Sequence, residues 1–125
     1  MVKYFSDEFF RDVESGLSTD PLWQQGTKGV KSSILMTATD ANASYLVTVD
    51  TGKTTIQKVQ PSSPAEFTFE GTYEVWARIG RGELDLQTAV LKGMLRFRGS
   101  ITKILAYKDR FLKIADVIRN IQKDY

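Results

Sequence analysis

The sequence predicts one α+β domain, and three observations carry that prediction. Stretches near 28–39, 44–50, 54–60, 66–70 and 95–98 alternate apolar and polar residues, or nearly so, the period of a strand with one buried face. Stretches near 6–17, 73–80 and 101–121 repeat their apolar residues at helical spacing. The chain has 125 residues, 42% hydrophobic and 26% charged, which suits a single globular domain over 1–125. A chain of this length buries on the order of two thirds of its unfolded surface.

Ser6 is placed to cap the first helix, with Asp7 and Glu8 in its positive first turn. Phe5 and Phe10 have the spacing of a hydrophobic staple, and Phe9, Phe10, Val13 and Leu17 form the buried stripe. Asp20 and Pro21 open a short second helix anchored by Leu22 and Trp23 and stopped at Gly26. From Lys28 to Gln60 the pattern predicts a three-stranded antiparallel meander, with Thr51-Gly52 as a tight hairpin and a threonine-rich face turned to solvent. The Pro61–Pro64 loop is too short for an interdomain linker.

The stretch from Ala65 to Gly99 organises the rest, as strand, helix, helix, strand. With its two strands side by side, Glu66 and Glu70 share a face with Arg96 and Arg98. Gly80-Arg81-Gly82 separates the helices, Asp85 caps the second and Gly93 ends it. Ser100 then caps a long helix to Gln122. Ile101, Ile104, Leu105, Leu112 and Ala115 make one stripe; Tyr107, Phe111, Ile114, Ile118 and Ile121 make another. Lys103, Lys108, Lys113 and Arg119 keep an outer face wet. So wide an apolar sector either is clamped between sheet and helices, the default, or lines an apolar cavity.

Composition removes several function classes. Without histidine or cysteine there is no Ser–His or Cys–His pair, no usual zinc site and no disulfide framework. No catalytic residue, metal site or cofactor is expected: capping accounts for Asp85 and exposure for Glu83. A net charge of +2 is too small to argue for nucleic acid. No apolar run is long enough to span a bilayer, and the start does not read as a signal peptide.

Gly82, then Gln87-Thr88-Ala89, Gly93, Leu95-Arg96-Phe97, Gly99 and the apolar helix from Ile101 together resemble the sterol carrier protein 2 (SCP2) family. The upstream Glu74-Val75-Trp76-Ala77 and the order of elements from Ser6 to Leu112 fit as well. The resemblance implies a five-stranded, mostly antiparallel sheet with helices on one face. An apolar tunnel between them would take a sterol, fatty acid, fatty acyl-CoA or other lipid without catalysis. Trp76, Ile79, Leu84, Val90, Leu91, Met94, Ile101, Ile104, Leu105, Phe111 and Leu112 are then the expected wall, with Gln87 as a polar contact. Arg78, Arg81 and Lys92 are either head-group contacts near the mouth or ordinary surface, and surface is the default.

The chain ends Lys123-Asp124-Tyr125, unlike the peroxisomal tripeptide of animal members, so a cytoplasmic location is expected. The expected partner is a small hydrophobic ligand, with transient membrane-surface contact, a homodimer or an enzyme of lipid metabolism left open. The alternative function is an interaction module with the tunnel closed by side chains.

Overall fold

The computed structural model describes residues 1–125, except for the side chain of Phe111. After the short strand β1 (Val2–Lys3), the Ser6 hydroxyl accepts from the Phe9 amide and starts α1 (Asp7–Ser18). The Phe5 and Phe10 rings meet edge to face at 5.0 Å, forming the expected staple. Asp20 Oδ1 accepts from the Leu22 and Trp23 amides and starts α2 (Pro21–Gly26). Buried Trp23 donates its indole N–H to Thr54 Oγ1 at 2.8 Å.

The meander forms as β2 (Lys31–Ala38), β3 (Ala43–Asp50) and β4 (Lys53–Lys58). Thr51 and Gly52 both take positive φ, 47° and 94°, as a two-residue type I′ turn requires. Residues 59–66 then cross back to β5 (Phe67–Gly71), which lies parallel to β2. The edge strand β6 (Arg96–Arg98) runs antiparallel to β5, giving the order β4-β3-β2-β5-β6. One parallel pair in an otherwise antiparallel sheet matches the expected architecture.

The helix-facing side of the sheet presents Ile34, Met36, Val47, Val49, Phe67 and Phe69. Against it pack α1 and Trp76 of α3 (Tyr73–Gly80). Trp76 is fixed at both ends: its indole N–H donates to the Thr37 carbonyl at 2.8 Å, and its own carbonyl accepts the Tyr4 hydroxyl at 2.6 Å. Phe10 stacks on Tyr45 at 4.1 Å, and the Tyr45 hydroxyl donates to Asp7.

Three expectations need correction. The last helix is not continuous to Gln122. It divides into α5 (Ile101–Ala106) and α6 (Lys108–Asn120), and the chain ends in β7 (Lys123–Asp124), parallel to β1. Tyr107 makes the break. Its φ of −101° and ψ of 9° leave the helical region, and its ring lies edge-on to Phe67 at 6.2 Å. The break lets α5 and α6 aim their separate apolar stripes independently.

The threonine-rich face is not uniformly wet. Thr37 and Ser44 are buried opposite each other in the middle of the sheet, and their hydroxyls share a hydrogen bond of 2.8 Å. Cross-strand register supplies the partner that water would otherwise provide.

On the same face Glu70 pairs with Arg98 at 2.6 Å as expected, but Glu66 does not reach an arginine. It precedes β5 and its register position falls beyond the end of β6. It instead accepts from Ser32 at 2.6 Å and pairs with Lys103 at 3.3 Å.

Candidate functional site

Between the β5–β6 edge of the sheet and the last helices lies an apolar cavity of about 220 Å³. Its floor is Phe69 of β5 and Phe97 of β6, inward residues of the two alternating strands. One wall comes from α4 (Leu86–Leu91), whose turn is set when Asp85 Oδ1 accepts from the Thr88 amide at 2.7 Å. That bond holds the Asp85 carboxyl below the usual carboxylate range. Leu86, Gln87, Val90 and Leu91 face the cavity from this helix. Gly93 ends it with a φ of 74° and turns the chain toward β6.

The opposite wall is Ile101, Ile104 and Leu105 of α5, with Lys108, Leu112 and Ala115 of α6. Here α5 buries none of its residues. Leu91, Ile101, Leu105 and Leu112 are 78%, 59%, 61% and 52% exposed, so the cavity opens to solvent through an apolar rim. Gln87 and Lys108 are the polar side chains among its lining, and both are exposed at the mouth.

A second cavity of about 50 Å³ lies deeper, between Trp76, Ile79, Ile114, Ile118 and the sheet residues Ile34, Met36 and Val47. Phe69, Leu86 and Ala115 line both cavities and form the partition between them.

The residues singled out in the sequence divide accordingly. Gln87, Val90, Leu91, Ile101, Ile104, Leu105 and Leu112 line the outer cavity; Trp76 and Ile79 line the inner one. Leu84 and Met94 line neither and pack, partly buried, against the core. The side chain of Phe111 lies outside the described residues. Arg81 is drawn away from the mouth by Glu83 at 2.6 Å and Glu74 at 3.5 Å, and Lys92 stays on the surface beside Leu91.

Phe69, Leu86, Phe97 and Ala115 were not expected in the wall, and Lys108 was assigned to the wet outer face. The signal for Lys108 was present. It falls four residues after Ile104 and four before Leu112, a lone cation inside the apolar stripe.

The family model of the SCP-2 sterol transfer family matches residues 15–111. The chain belongs to that family. Among solved structures, a sterol carrier protein 2 crystal structure is similar with a TM-score of 0.83 and 16% identity, over 96% of this chain and 100% of that one. A protein from Thermus thermophilus, described as possibly a sterol carrier protein, is similar with a TM-score of 0.79 and 15% identity, over 99% of this chain and 93% of that one. The apo form of sterol carrier protein 2 from Yarrowia lipolytica is similar with a TM-score of 0.64 and 17% identity, over 97% of each chain. At these identities the structural likeness establishes the shared fold. No curated protein matches the sequence significantly. Among the described residues, no helix is long and apolar enough to cross a membrane.

Proposed function

We propose that the chain binds and carries a lipid with a hydrocarbon chain and an anionic head group, such as a fatty acid, without catalysing a reaction on it. The observation that carries this reading is the outer cavity: apolar walls, an open mouth, and Lys108 as the one cation among the described lining side chains. Its volume lies below the roughly 300–1,000 Å³ of sites for drug-sized molecules. That size favours a slim chain over fused rings.

Burial at about 0.8 kcal/mol per methylene gives a gross gain on the order of 12 kcal/mol for a long acyl chain. Association and ordering costs of roughly 4–15 kcal/mol offset much of it; at the low end of that range about 8 kcal/mol remains, a Kd of about 1 μM. Side-chain movement at the Phe69, Leu86 and Ala115 partition would let the tail reach the inner cavity beside Trp76 and Ile79. Gln87 and Lys108 would hold the head group at the mouth. The alternative, an interaction module with the tunnel closed, needs this cavity filled by side chains, and its open state argues against that.

Native mass spectrometry of the freshly purified protein, with organic extraction, tests the reading. A lipid at one per chain is the expected result. A mass that stays bare after incubation with fatty acids, acyl-CoA and sterols overturns it. Lys108→Met should weaken fatty-acid binding about tenfold, the loss of one charge-assisted contact of about 1.4 kcal/mol, and spare a neutral monoacylglycerol.

A further inference from the structure

A polar cleft of about 200 Å³ lies at the other end of the sheet, where α1 packs against β4. Asp7, Arg11 and Glu14 line it from α1; Tyr45 of β3 and Ile56 and Lys58 of β4 line it from the sheet. Phe10, stacked on Tyr45, completes it. The cleft shares no lining residue with either apolar cavity, so it stands or falls independently of the lipid site.

Two periods bring these groups together. Asp7, Arg11 and Glu14 recur at steps of four and three, which puts them on one side of the helix. Tyr45 and Lys58 are direct cross-strand partners and Ile56 precedes Lys58 by two, so all three share a sheet face.

Asp7 to Arg11 and Arg11 to Glu14 are spacings at which oppositely charged helical side chains pair. Neither pair forms. The carboxylates are held by other donors: the Tyr45 hydroxyl donates to Asp7 Oδ1 at 2.6 Å, and the Ile56 amide of the edge strand donates to Glu14 Oε2 at 3.3 Å. Burial, and then Asp7 itself, push the Tyr45 hydroxyl well above the usual phenol range, so it stays a donor. Among the described residues, the second oxygen of each carboxylate has no partner. The side chains of Arg11 and Lys58 make no hydrogen bond or ion pair there either.

Two fixed acids and two unpaired bases give the cleft a formal charge of zero, divided within itself. An isolated anion is attracted by Arg11 and Lys58 and opposed by Asp7 and Glu14, and an isolated cation meets the reverse. A molecule carrying both charges satisfies all four.

We propose that this cleft binds a small zwitterion. Its phosphate or carboxylate meets Arg11 from the helix and Lys58 from the strand, and its ammonium meets the free oxygens of Asp7 and Glu14. The guanidinium fork suits an anionic group with two oxygens to offer. A volume below the roughly 300–1,000 Å³ of drug-sized sites suits an amino acid or phosphoethanolamine. None of the exposed large apolar side chains borders the cleft, so nothing there continues into an acyl chain. The ligand is therefore a free molecule and not a lipid head group.

Backbone amide shifts of the full chain, followed by proton–nitrogen NMR at constant ionic strength, report on the site. O-phosphoethanolamine or β-alanine should move the amides of α1 and of residues 56–58 until they saturate. Inorganic phosphate and ethanolamine, the separate halves, should bind at least about tenfold more weakly, the scale of one charge-assisted contact. Lysophosphatidylethanolamine should do no better than O-phosphoethanolamine at these amides.

Arg11→Gln and Lys58→Gln should each weaken binding about tenfold. Neither side chain holds a partner in the free protein, so each variant should melt within about 2 °C of the parent. Asp7→Asn keeps an acceptor for the Tyr45 hydroxyl but removes the charge, and in it the gap between O-phosphoethanolamine and inorganic phosphate should close. Shifts that never saturate, equal binding of phosphate and the zwitterions by the parent, or a response that needs the acyl chain overturns the proposal. So does weakened binding accompanied by a large fall in Tm, which would give Arg11 and Lys58 a structural role instead.

Discussion

Ala115 separates a cavity from a closed core. It is half-buried on α6 and lines both the outer and the inner cavity. Ala115→Leu adds three carbons at the partition. Fully buried in a void they would stabilise the fold by about 2.4 kcal/mol, at about 0.8 kcal/mol each. Half-burial reduces this to about 1 kcal/mol, a rise in Tm of about 4 °C for a chain of this size.

In the proposed binding mode the same carbons occupy the path of the lipid tail between the two cavities. Excluding two or three methylenes of lipid from burial costs about 2 kcal/mol of binding, or about 30-fold in Kd. The variant should therefore melt higher and bind worse. Thermal unfolding followed by circular dichroism gives the first quantity, and displacement of a fluorescent fatty acid gives the second. In a close-packed core the added carbons would overpack, costing roughly 1–3 kcal/mol and leaving any binding elsewhere unchanged. A lower Tm with unchanged affinity would refute the cavity reading.

Other predictions concern what holds the site in place. Gly99 joins β6 to α5 at a φ of 142°, and a Cβ there would lie 2.9 Å from the Glu66 carbonyl oxygen. Gly99→Ala should lower stability by about 1–3 kcal/mol in urea unfolding. Tyr4→Phe removes the buried hydroxyl bound to the Trp76 carbonyl, so a loss of about 0.5–1.5 kcal/mol is expected in the same assay. Lys113 pairs with Asp20 at 2.8 Å and, with the Trp23 and Leu22 amides, holds its carboxyl below the usual carboxylate range. A depressed folded-state pKa stabilises the protein above the unfolded value and loses that contribution as pH falls through the folded one. Asp20→Asn, which can still cap α2, should be less stable than the parent at neutral pH, and the difference should shrink as pH falls through the lowered folded-state pKa of the carboxyl. A difference that persists unchanged into acid would mean that the ion pair contributes nothing.

Local signals in this chain are strong where one residue type has one physical use. Ser6, Asp20, Asp85 and Ser100 each sit before an apolar-periodic run, and each side chain accepts from an amide of the helix it starts. Thr51-Gly52 had to turn, and the alternation of β5 and β6 identified their inward residues. The resemblance implied a five-stranded, mostly antiparallel sheet, but its order, with β5 parallel to β2 after a crossover, was not legible, because alternation gives a strand its face and not its neighbour. The break at Tyr107 was hidden because both stripes continue helical spacing across it.

The cavity was harder to read for a related reason. Periodicity reports that Ile101, Leu105 and Leu112 share a side of the helix; it does not report what lies opposite. A stripe against a core and a stripe around an empty mouth have the same spacing, and only exposures of 59%, 61% and 52% distinguish them. Phe69 and Phe97 were equally ambiguous, as inward strand residues that floor a cavity alternate just as those that pack beneath a helix do. The residue that breaks the symmetry is Lys108. A core stripe excludes a cation that cannot reach water, whereas a stripe at an open mouth tolerates one and can use it. The position of that lysine between Ile104 and Leu112 is therefore the sequence feature most specific to a ligand site, and its charge is the property by which such a site would select one lipid head group over another.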